Sequence, residues 1–140
     1  MILYFNYEEL RALKAGAQTL LEGESGHCGS VLAPARSRAQ VEALVPRLEG
    51  DISLPTLGEL RAVSAAVDVV VACLRVEMEA TVLATHAADE SAVAAYFDYA
   101  HALTVSRRLA EMATEMEALI ELVTGEPVTA AAAADFRFPD

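Results

Sequence analysis

One apolar stripe constrains this chain more than any other feature. Leu57, Leu60, Val63, Val67, Val70 with Val71, Leu74, Met78 and Val82 recur at helical spacing between Thr56 and about Ala87. A strand would need a period of two, so the segment reads as one long helix. Thr56 followed by Glu59 is a capping-box start, in which each side chain reaches the other's backbone N–H. The flanks, Ala62, Ala65, Ala66, Val69, Ala72 and Cys73, are apolar too. A helix apolar nearly all round has to be covered by other elements.

The cover has to come from the rest of the chain. "THAADES" interrupts the pattern, Asp89 offers a cap, and a second long helix is expected from there to about Thr124, stopped by Gly125 and Pro127,. Its second half places Val105, Leu109, Met112, Met116, Leu119 and Val123 in alternating steps of four and three, the spacing of a coiled-coil seam. Before the stripe, Asn6 with Glu9 opens a helix from Tyr7 to about Leu21 on Leu10, Leu13, Ala17 and Leu20,. A shorter one is expected from about Ser37 to Leu48 on Val41, Leu44, Val45 and Leu48. Pro46 shortens or kinks it, because proline lacks the N–H a helix interior needs.

The fold expected is therefore all-α: one domain over residues 1–140, built on a long antiparallel helical hairpin with one or two shorter N-terminal helices. "ILYF" and "FRF", near the two ends, are apolar runs that water should not see. They are expected to pair or pack together, with "SVLAP" as a candidate third short strand. Residues 22–37 read as a flexible Gly-rich connection and 126–140 as a tail.

Composition narrows the partners. Ten Lys and Arg against 21 Asp and Glu leave a net charge of −11. That surface repels nucleic acid and anionic membranes but suits a basic protein. No apolar run approaches the roughly 20 residues of a membrane span. "MILYFNYEEL" has no basic n-region and turns acidic at once, so it does not read as a signal peptide,. Two cysteines make no disulfide framework, which points to a reducing, cytoplasmic setting,. Cys73, inside "VVVACL", reads as a small buried hydrophobe,.

Three constellations could carry chemistry. In "EGESGHCGSVLAP" the glycines follow a helix rather than lead into one, and Glu22 and Glu24 bring the wrong sign for phosphate,. His27 beside Cys28 lacks a third partner, so the stretch reads as a linker. Across the hairpin, Glu79 falls level with Asp98 and Arg75 with Ala102, so Glu79, His86, Asp98 and His101 form a candidate zinc or iron set,. The competing reading makes Arg75–Asp98 and Asp68–Arg108 interhelical ion pairs and both histidines surface residues. Glu111, Glu115, Glu117, Glu121 and Glu126 form an acidic face beside the seam, read as solvated,. Tyr96, Phe97 and Tyr99 lie too close in sequence to share one face, so at least one leaves the core.

No catalytic residue and no cofactor is expected. The leading functional expectation is a non-enzymatic interaction module, a homodimeric adaptor or accessory subunit joined through Val105, Leu109, Met112, Met116, Leu119 and Val123. The alternatives are an acidic neutralising protein of the immunity or antitoxin kind, and a small metal-dependent enzyme on the His/carboxylate set.

Overall fold

The computed structural model describes residues 1–22, 35–85, 89–129, 131 and 135–138. A two-residue strand β1 (Ile2–Leu3) leads into α1 (Tyr7–Glu22). After the undescribed 23–34 come α2 (Ala35–Leu44), a 3₁₀ turn (Val45–Arg47) and a second short strand β2 (Ile52–Ser53). Two long helices follow, α3 (Leu57–Thr85) and α4 (Glu90–Thr124).

The ends of these helices sit where their capping residues put them. Asn6 and Glu9 close both halves of a capping box: the Glu9 N–H donates to Asn6 Oδ1 at 2.8 Å and the Asn6 N–H to Glu9 Oε1 at 3.0 Å,. The Glu59 N–H donates to Thr56 Oγ1 at 3.1 Å. Asp89 accepts from the Ser91 N–H, and Gly125 ends α4 at φ 72°, a left-handed conformation that glycine adopts without steric cost. Pro46 falls in the 3₁₀ turn that follows α2. The missing proline N–H therefore ends α2 rather than kinking it.

Helices α3 and α4 pack along each other as an antiparallel pair. Arg61 near the start of α3 reaches Glu117 near the end of α4 at 2.5 Å, and Ser106 Oγ donates to Asp68 at 2.6 Å. Helix α1 packs against both α3 and α4, while α2 packs on α3 and α1. At Gly16 α1 lies tight against α3: a Cβ built there would stand 2.8 Å from Val70 Cγ1 and 3.0 Å from Leu74 Cγ. Leu13, Ala17, Leu20, Val41, Leu60, Val67, Val70, Val105 and Leu109 all lie in one buried cluster.

The short β contacts expected at the termini are present, but each terminus pairs with the 52–57 connector rather than with the other. β1 pairs antiparallel with β2, Ile2 opposite Ser53 and Leu3 opposite Ile52. At the other end the Leu57 N–H donates to the Phe136 carbonyl at 3.1 Å, the Phe138 N–H to the Pro55 carbonyl at 2.8 Å, and Thr56 bridges Arg137. The 52–57 connector thus receives both termini. "ISLPT" presents backbone donors and acceptors to both short apolar segments, whose own backbone groups need partners,. "SVLAP" and the His27–Cys28 loop lie outside the described residues.

Cys73 is fully buried, as its apolar neighbours imply, but it is disulfide-bonded rather than a free thiol. The one other cysteine in the chain, Cys28, lies outside the described residues.

Candidate functional site

Burial divides the heptad seam of α4. Val105 and Leu109 are completely buried in the chain's own core. Met112 and Met116 are half-buried against that core. Leu119 is 51% exposed, its neighbour Leu122 82% and Val123 77%. One period of spacing therefore serves two purposes. Where α1 and α3 flank α4 the seam is core, and beyond the start of α1 it emerges to the surface.

The emergent half adjoins an open cleft of about 510 Å³ lined by Ile2, Leu3, Tyr4, Phe5, Asn6, Glu9, Arg108 and Met112. Ile2 and Tyr4 there are themselves largely exposed. Apolar side chains from β1 and from the seam thus line one surface, which sequence patterning did not reveal because β1 is distant in the chain. A second exposed group, Leu83, Val93, Tyr96 and Phe97, lies towards the other end of the hairpin. There Tyr96 and Phe97 meet edge to face at 5.8 Å, while Tyr99 packs against the core.

The inner wall of the cleft holds the one buried carboxylate among the described residues. Glu9 is 2% exposed. It accepts from Arg108 at 2.7 and 3.2 Å, and Arg108 also donates to the Tyr4 carbonyl at 3.0 Å. Burial, the largest single influence, pushes the Glu9 pKa up. The Arg108 hydrogen bonds, the Asn6 backbone N–H and the charges of Arg108 and His101 together outweigh burial and hold it below its ordinary 4.5,. Glu9 is therefore an ionised anchor joining α1 to α4, with its oxygens occupied, rather than a poised acid or base.

The metal-ligand candidates are distributed among other partners. Glu79 accepts from Arg75 at 3.1 Å on its own helix, and Asp98 takes Arg11 of α1 at 2.7 Å. That contact holds the Arg11 pKa above its ordinary value, the Asp98 hydrogen bond contributing most. His101 stacks on Phe97 with ring centroids 6.5 Å apart. His86 lies outside the described residues, and among those described no three His, Cys, Asp or Glu side chains converge as a metal site. The expected Arg75–Asp98 and Asp68–Arg108 pairs are replaced by Arg75–Glu79, Arg11–Asp98, Asp68–Ser106 and Arg108–Glu9. The reason is that α1 lies against α4, so Asp98, His101 and Arg108 meet α1. On the acidic face, Glu111, Glu115, Glu121 and Glu126 are exposed as expected, whereas Glu117 is half-buried against Arg61.

No helix among the described residues is long and apolar enough to cross a membrane. No family model matches the chain, and no curated protein and no solved structure matches it.

Proposed function

We propose that this chain is a protein–protein interaction module whose docking face is the emergent half of the α4 seam, Met112, Met116, Leu119 and Val123, together with the apolar rim of the adjoining cleft. The observation that carries this reading is the exposure of Leu119, Leu122 and Val123 at the end of a well-capped helix. Contiguous apolar side chains of that kind cost solvation until something covers them. A second copy is the simplest occupant, because a heptad stripe is self-complementary about a two-fold axis. The protein is then a homodimeric adaptor or accessory subunit. A disulfide-bonded Cys73 favours an oxidising compartment over the cytoplasmic setting expected,.

Light scattering across protein concentration tests this face. The wild-type mass should rise towards twice that of the chain, and a Leu119→Glu, Val123→Glu variant should remain monomeric with unchanged helical content, both positions being exposed in the single chain,. A wild-type protein that stays monomeric at every concentration would remove the dimer.

A second reading rests on the acidic face: Glu111, Glu115 and Glu126 are exposed and form no ion pair among the described residues. That face suits a basic partner, as an immunity-type protein requires. Salt separates the two. Self-association between like-charged copies strengthens as salt screens their repulsion, whereas an acidic–basic complex weakens.

A further inference from the structure

We propose that the groove between α2 and α3 binds a small amphiphile carrying a single carboxylate, of the fatty-acid class. The groove has a volume of about 310 Å³, at the small end of the range for small-molecule sites. Its floor is built from alanines one turn apart on each helix, Ala39 and Ala43 on α2 and Ala62 and Ala66 on α3, with Leu44 and Val63 beneath. Short side chains at those four positions leave a trough that larger ones would close.

Charge selects the ligand. The chain carries −11 overall, yet among the described residues the polar side chains lining this groove are Arg36, Gln40 and Arg47, with no carboxylate. Arg47 is engaged, donating to the Ser53 carbonyl at 2.6 Å and meeting Glu59 at 3.5 Å. Arg36 is exposed and forms no ion pair among the described residues, so it is the available anchor for an anion. An acidic peptide would bring several negative charges towards a strongly negative protein, whereas a monocarboxylate brings one directly to Arg36. From Arg36 to Arg47 the backbone runs for about 16 Å at helical rise, enough for a medium-length acyl chain over the alanine floor. The described lining residues all belong to α2, the 3₁₀ turn and α3, so this site is independent of the α4 face.

Isothermal titration of the full chain with decanoate, below its micellar concentration, tests the site. Saturable one-to-one binding is expected, with octanoate weaker by roughly fifteenfold as two methylenes leave the groove. Arg36→Gln should weaken decanoate by roughly tenfold. Ala39→Phe with Ala62→Phe should abolish binding without lowering the melting temperature, because both positions are exposed. Absence of saturable binding overturns the proposal. So does equal affinity for decyltrimethylammonium, unchanged affinity in Arg36→Gln, or binding of an acidic apolar peptide where decanoate fails.

Discussion

Arg108→Met should destabilise the protein by about 2–3 kcal/mol at neutral pH, lowering the melting temperature by roughly 10 °C. The variant strands an ionised Glu9 that is 2% exposed. The estimate sits at the low end for a broken buried pair because the Arg108 side chain is itself 37% exposed, so water screens part of the interaction. Glu9→Gln with Arg108→Met should recover much of the loss, since no buried charge then remains. The pH dependence has a definite sign. Glu9 titrates below its ordinary 4.5 in the folded protein, so its contribution is present above that pH and fades as pH falls through the lower folded value. In Arg108→Met the lowering influence of the arginine is gone while burial still pushes Glu9 up. The variant therefore takes up its proton at higher pH, and its deficit relative to wild type narrows on acidification. Urea denaturation at pH 7 and pH 4 measures both effects. A deficit that widens at pH 4 would contradict the assigned pair.

Gly16→Val should be at least as damaging, about 3 kcal/mol or more, because a branched side chain cannot enter the α1–α3 contact without separating the helices. The Cβ alone would stand 2.8 Å from Val70 Cγ1, a methyl on a stiff β-branched side chain, and 3.0 Å from Leu74 Cγ,. Gly16→Ala is the informative companion. Alanine gains about 1 kcal/mol of helix propensity and loses about 1–3 kcal/mol to overpacking, so a net loss near 1 kcal/mol is expected. Urea midpoints followed by circular dichroism give both numbers. A stabilised alanine variant would mean that α1 lies further from α3 than described.

The two long helices were legible because their signals are local and redundant. Capping residues at Thr56 and Asp89, an unbroken helical stripe from Leu57 to Val82 and the stop at Gly125 agree at every level,. The antiparallel arrangement followed from a short connection. What patterning could not show was which neighbour each polar residue of α4 would face. Asp98 and Arg108 have opposite-charge candidates on both α1 and α3, and only the packing of α1 against α4 selects Arg11 and Glu9. Glu9 is legible as a capping residue, but N-cap boxes are ordinarily solvated and nothing in its spacing announces burial. The seam is visible as six residues at heptad spacing,. Its division into core at Val105 and Leu109 and surface at Leu119 and Val123 depends on where α1 begins to cover α4. The α2–α3 groove was hidden for a similar reason: Ala62 and Ala66 looked like flanks of a covered helix until α2 was placed beside them.

The docking face is tested most directly by intermolecular contact between methyl groups. A sample mixed from one protein labelled at methionine methyls and another at leucine and valine methyls reports, through isotope-filtered NOEs, only contacts between copies. The account predicts cross-peaks joining Met112 and Met116 of one copy to Leu119 and Val123 of the other, lost in the Leu119→Glu, Val123→Glu variant. Association in solution with no such cross-peaks, or with cross-peaks confined to Leu83, Val93 and the opposite end of the hairpin, would contradict it.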